Sequence, residues 1–144
     1  MHALDPEIPA GFQHWQGDPA EDHIGPFYYR LTENGAETRF HLQPHNCNSH
    51  GTAHGGVLMA FIDYTLCAAA VGATGEQVVT VTCNNEFIAG ATANTLLYGH
   101  GEVIRRTNSL VFTRGTVETA EGRVLLSASA VIKRIRPRRN PRKE

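Results

Sequence analysis

Residues 57–71 read VLMAFIDYTLCAAAV, and Gly55 and Gly56 stand directly before them. From Gly55 to about Val71 the chain is apolar on nearly every side and free of proline. That describes a helix of about five turns that is buried all round. Gly72 and Gly75 punctuate its end. The flanking segments have the other periodicity. PFYYRLTENGAETRFHL, from Pro26, reads as two strands around Glu33-Asn34-Gly35-Ala36, because Asn-Gly between β-prone runs signals a hairpin. Pro44 to Ala53 is a polar, glycine-containing loop. Four strands are expected after the helix: Gln77 to Ala89, Thr95 to Arg106, Ser109 to Thr119 and Arg123 to Arg134. In the last, Val124, Leu126, Ala128, Ala130 and Ile132 fall on one face with a period of two. The connections Arg106-Thr107-Asn108-Ser109 and Ala120-Glu121-Gly122 are short enough for hairpins, so these strands are expected to form an antiparallel meander. A long helix wrapped by five or six antiparallel strands is an α+β architecture.

The 144 residues suit one domain. Residues 1–25 read as an irregular lead-in with one helical turn, 26–134 as the domain, and 135–144 as a basic tail. Of the thirteen Lys and Arg residues, seven fall in Lys133 to Lys143. Residues 1–132 carry a net charge of about −7. A basic end of this kind can neutralise phosphate or simply stay solvated, and without a recognisable reading module no nucleic-acid partner is expected. Asp63 interrupts the apolar run, so no membrane span is expected. MHALDPEIPAGF has neither a basic n-region nor an apolar h-region, which makes the cytoplasm the expected location. Cys47, Cys67 and Cys83 lack paired spacing and read as reduced thiols.

The chemistry concentrates in Asn48-Ser49-His50-Gly51-Thr52-Ala53-His54-Gly55-Gly56, followed nine residues after His54 by Asp63. A carboxylate in an apolar helix is costly unless something compensates it. Met59, Ala60, Leu66 and Cys67, its neighbours at helical spacing, are not expected to, so a group outside the helix must face it. Asp63 is then either satisfied by the sheet or catalytic. Gly55 and Gly56 enter the helix with first-turn amides that point out along the positive end of its dipole, a ready-made oxyanion or anion site. His54 can serve as acid or base, or merely bond backbone. His41, His45, His50 and His54 cluster in sequence but follow no ligand spacing, so no metal is expected. Neither a Gly-x-Ser-x-Gly elbow nor a phosphate-binding glycine loop is present.

Together, Asn48, Gly51, His54-Gly55-Gly56 and Asp63, in that spacing, resemble the signature of the hotdog-fold acyl-CoA thioesterases of the phenylacetate-pathway (PaaI) type. The order strand, strand, helix, meander is similar to that fold over about residues 26–134. The resemblance implies thioester hydrolysis without a cofactor, coenzyme A being part of the substrate. It makes Asp63 the general base or nucleophile and the Gly55 amide the oxyanion donor. His54 and Asn48 place loop, thioester and water, Gly56 flanks the substrate, and Thr80 supplies an assisting hydroxyl. It further implies a dimer, or a dimer of dimers, whose active sites are shared between chains. The match departs at Phe87-Ile88-Ala89-Gly90, where relatives often carry a proline. Arg105 and Arg106, at a strand end, and the basic tail are candidates for coenzyme A phosphates. Phe61, Tyr64, Phe87 and Phe112 are aromatic candidates for an acyl pocket or for plain core. Two other functions stay open: a non-catalytic acyl-CoA binding module, and an enoyl-thioester hydratase or dehydratase. The latter usually carries an Asp-x-x-x-x-His pattern that is absent here.

Overall fold

The computed structural model describes residues 7–135. Most of the basic tail, residues 136–144, lies outside the described residues. Seven strands form one antiparallel sheet around one long helix. In chain order the elements are β1 (Gln13–His14), α1 (Pro19–Ile24), β2 (Phe27–Thr32), β3 (Gly35–His41), a 3-10 turn (Pro44–Asn46) and α2 (Gly55–Thr74). Then come β4 (Gln77–Phe87), β5 (Leu96–Arg106), β6 (Leu110–Glu118) and β7 (Val124–Ile135). The sheet order is β1-β2-β3-β5-β6-β7-β4.

The helix and the β2–β3 hairpin lie where the sequence places them. The hairpin pairs Thr32 with Gly35, so Glu33 and Asn34 form its loop and the glycine opens β3. Gly35 is small for packing reasons: a Cβ there would sit 1.9 Å from the Gly101 carbonyl oxygen. α2 runs three residues beyond Val71 and stops at Gly75, whose φ of 67° is left-handed and whose amide reaches the Val71 carbonyl. The expected alternation in β7 is present, with Leu126, Ala128, Ala130 and Ile132 buried and Ser129 and Lys133 exposed.

Three expectations need correction. The lead-in is more ordered than irregular: it supplies β1, the seventh strand, and the short α1. Asp18 caps α1 through a 3.1 Å bond from the Glu21 amide, and Pro19 occupies its first turn. The meander holds only for β5, β6 and β7. β4 crosses to the far edge and pairs with β7 from Gln77↔Ile135 to Phe87↔Leu126. Finally, α2 is not buried all round, because the sheet covers one side of it only.

On that side Phe61, Ile62 and Leu66 are fully buried, and Phe61 meets Phe27 and Phe40 at ring-centroid distances of 5.2 and 5.4 Å. Each such side chain contributes roughly 1.5–3 kcal/mol through removal from water. The sheet is shaped to receive the helix. Ala36, Gly101, Gly115 and Ala128 lie side by side across four strands. Added Cβ atoms at Gly101 and Gly115 would lie 3.4 and 3.0 Å from Leu66 Cδ2. Leu66 therefore sits in a trough of small residues. The opposite side of α2 leaves Gly56, Met59 and Gly72 exposed. By length and composition α2 would pass for a membrane span, but here it is the core helix of the domain.

Candidate active site

The loop before α2 is ordered by its own polar residues. The Asn48 side-chain oxygen accepts bonds from the His50 amide (3.0 Å), the Thr52 amide (3.2 Å) and the Thr52 hydroxyl (3.2 Å). Gly51 takes the left-handed conformation at φ 78° that closes this turn. Buried Asn46 fixes the loop from behind: its amide donates to the Ile24 carbonyl at 2.8 Å and its oxygen accepts from the Gln43 amide at 2.8 Å. Sequence reading passed over Asn46, although a polar side chain in a 3-10 turn before a glycine-rich loop is a usable signal.

His54 is the N-cap of α2, and its Nδ1 accepts the Gly56 amide at 2.9 Å. That bond requires an unprotonated Nδ1, so the ring holds the helix start and leaves Nε2 to the solvent side. The two glycines thereby separate in role. The Gly56 amide is taken, while the Gly55 amide has no acceptor among the described residues. Phe87 forms the wall beside it, with its ring 3.3 Å from the position a Gly55 Cβ would take.

Asp63 is half-buried and faces β4 rather than its own helix. The Thr80 hydroxyl donates to Asp63 Oδ1 at 2.5 Å. The β4–β7 register shifts between Thr80 and Thr82, and such a bulge re-aims the side chains around it. The Cys67 thiol lies 3.3 Å from the Thr80 hydroxyl and 3.9 Å from Asp63 Oδ1. The helical neighbours of Asp63 are thus not wholly inert, since Cys67 makes a long contact. Burial, with the Asp63 charge adding to it, pushes the Cys67 thiol up to about 12. At neutral pH it is a thiol and not a nucleophile. Among the described residues Asp63 Oδ2 has no partner.

Beside Asp63 lies a cavity of about 660 Å³, bounded by the N-terminal segment, β2, one face of α2 and the start of β4. Asp63, Thr80, Tyr64 and Cys67 stand in its wall, together with Trp15 and Glu21 from the N-terminal segment. Of the aromatic candidates, Tyr64 lines this cavity, Phe61 is core, and Phe87 stands at Gly55. Glu21 is the second residue that sequence reading missed. Its carboxyl is pushed up to about 7, first by burial and then by Asp18, Asp63 and Asp22.

Other sequence candidates are not brought to this place. Gly55 and Asp63 are eight residues apart on one helix, which puts their backbones about 12 Å apart. Arg106 donates to the Ala73 carbonyl at 2.5 Å, which satisfies the C-terminal end of α2, and Arg105 is exposed nearby. Both sit at the opposite end of the helix from Gly55. No group of three metal-binding side chains occurs among the described residues.

Residues 50–126 match the thioesterase superfamily. A protein of Pseudomonas aeruginosa provisionally named an esterase is 29% identical over 128 residues, covering 86% of this chain and 95% of the relative. The PaaI protein of the E. coli phenylacetic acid degradation operon superimposes with a TM-score of 0.78 at 16% identity, covering 84% of this chain and 87% of that one. A Streptococcus pneumoniae protein described as a hypothetical thioesterase and solved with coenzyme A gives 0.72 at 17% identity, covering 78% and 90%. The last two likenesses are likenesses of fold.

Proposed function

This chain belongs to the thioesterase superfamily; from that premise we infer that it is a hotdog-fold thioesterase of the PaaI type, which hydrolyses acyl-CoA or aryl-CoA to the free acid and coenzyme A. The observation that carries this reading is the Asp63 carboxylate, held at Oδ1 by Thr80 and open at Oδ2 beside a cavity large enough for an acyl group. In the reading, Oδ2 accepts a proton from water as that water attacks the thioester carbonyl. The carbonyl oxygen, now negative, is stabilised by the Gly55 amide. Collapse of the tetrahedral species breaks the C–S bond, and the departing thiolate takes up the proton. Direct attack by the carboxylate would use the same groups and pass through a mixed anhydride.

A separation of about 12 Å prevents the Gly55 amide and the Asp63 carboxylate of one chain from serving one carbonyl. In this reading two chains build each site, with Gly55 from one and Asp63 from the other. The surface supports that pairing. β4 is an eleven-residue edge strand with Val79, Val81 and Phe87 exposed, and Met59 is exposed on the open face of α2. A long apolar edge of this kind is a liability in a lone chain. In this reading the enzyme acts in the cytoplasm, uses no cofactor, and comprises one domain over about residues 26–134. Thiol release from a panel of acyl-CoAs, run on wild type and Asp63→Ala, tests it. Turnover by wild type and none by the folded variant is expected. Near wild-type turnover by Asp63→Ala would overturn the mechanism.

A further inference from the structure

The cavity beside Asp63 restricts its occupant by charge as well as by shape. Trp15, Tyr29, Leu31, Val71, Val79 and Ile135 give it an apolar and aromatic body. Its wall also carries the carboxyls of Asp18, Glu21, Asp63 and Glu76, and among the described residues no Lys, Arg or His lines it. Glu76 is neutralised by a two-pronged pair with Arg134, both bonds at 2.9 Å. Asp22, on the same short helix as Glu21, is paired with His14 at 2.8 Å. Asp18 caps that helix through its side chain. Among the described residues Glu21 has no such cation, and it lines the same cavity as the catalytic candidate. An acyl tail entering here meets a neutral apolar surface and a carboxyl without a countercharge.

The geometry points to Glu21 as the residue that selects the acyl group: it closes the cavity beside Asp63, admits neutral aliphatic or aryl acyl groups, and turns away acyl groups that end in a carboxylate. This inference rests on the thioesterase reading and names the substrate class within it. A second carboxylate among Glu21, Asp18 and Asp63 meets no cation among the described residues, and desolvating it there is unfavourable. The selection strengthens as pH rises. The groups that face Glu21 are Asp18 at the cap of α1, Asp22 on α1 and Asp63 on α2, and burial, with their charges, pushes its carboxyl up to about 7. Tyr64 on α2 and Tyr29 on β2 flank the same space, and burial raises the Tyr64 hydroxyl so that it stays neutral through this range. Glu21 is thus more fully charged at pH 8 than at pH 6.

The test pairs hexanoyl-CoA with glutaryl-CoA, which are similar in length and differ in the terminal charge. Hydrolysis is followed by thiol release. Occupancy is followed separately by the emission of Trp15, the sole tryptophan of the chain, which lines the cavity. Wild type at pH 8 is expected to favour hexanoyl-CoA by roughly 10-fold to 100-fold in kcat/KM, most of it in KM. Glu21→Gln narrows that ratio about tenfold by improving the glutaryl KM, and Glu21→Asp restores it. A wild type that treats both substrates alike overturns the proposal, as does an unchanged ratio in Glu21→Gln. Trp15 emission that reports tighter binding of hexanoyl-CoA with no thiol released would overturn the thioesterase reading and leave the selection by Glu21 standing.

Discussion

Replacing Thr80 by valine removes one hydroxyl and keeps the shape of the side chain. The hydroxyl lies 2.5 Å from Asp63 Oδ1, and the other contact to that oxygen, the Cys67 thiol at 3.9 Å, is too long to take its place. A hydrogen bond to a charged group contributes about 1.5–3 kcal/mol. Asp63 is only half-buried, which favours the lower half of that range. If the bond aims Oδ2 at the attacking water, its loss lowers kcat by about 10-fold to 50-fold, since each 1.4 kcal/mol is a factor of ten. Thr80 pairs with Ile132 inside the β4–β7 ladder, where valine is at least as suited as threonine, so the fold should persist. Thiol-release kinetics, with thermal melts followed by circular dichroism, separate the two effects. Thr80→Ser should recover to within about threefold, because it keeps the donor. A valine variant that turns over within about threefold of wild type, with an unchanged melt, would refute a catalytic role for this bond.

Two further outcomes follow from buried titrating groups. The Glu21 carboxyl is raised from 4.5 to about 7, so the folded state keeps a proton that the unfolded chain has released between those values. Stability therefore falls as pH rises through that window. Glu21 is only partly buried, and the screened effect is on the order of 1 kcal/mol. Glu21→Gln should accordingly melt a few degrees above wild type at pH 8 and level with it at pH 5; equal melts at both values would remove the argument. The Cys67 thiol, pushed up to about 12, should react with iodoacetamide at pH 8 roughly 1000-fold more slowly in the native protein than in urea. Peptide mass spectrometry reads this, and equal rates would show that the thiol is neither buried nor beside a charge.

The parts of the fold visible in the sequence are those set by local pattern. The apolar run of 57–71 read as a core helix, the Asn34-Gly35 pair marked a hairpin, and the period of two in β7 named its buried face. Thr80 was legible only through the resemblance, since the bulge that aims it at Asp63 leaves no periodic trace. The crossing of β4 to the far edge was not legible, because β4–β7 pairing is decided by long-range contacts and not by the short connections that revealed β5, β6 and β7. Residues 19–24 are too short for helical periodicity to register. A signal was nevertheless present there: Asp18, then Pro19, then Glu21 three residues after the cap is a helix-start pattern. Glu21 and Trp15 gain their place in the cavity from tertiary packing alone. The open face of α2 escaped for a related reason, since an all-round apolar helix looks the same in sequence whether the sheet covers one side of it or all of it.

The central claim is that the Gly55 amide of one chain and the Asp63 carboxylate of another form one site, and complementation tests it most directly. Asp63→Ala removes the carboxylate. Gly55→Pro removes the amide at the first helical position, where proline is favoured, and the preceding His54 already has a compatible ψ of 132°. Each variant alone should be inactive in thiol release. Refolded together from equal amounts, they pair at random, and roughly a quarter of wild-type activity should return, carried by mixed dimers with one intact site of two. Two inactive variants that stay inactive together, although mass spectrometry shows the mixed dimer, would contradict the account.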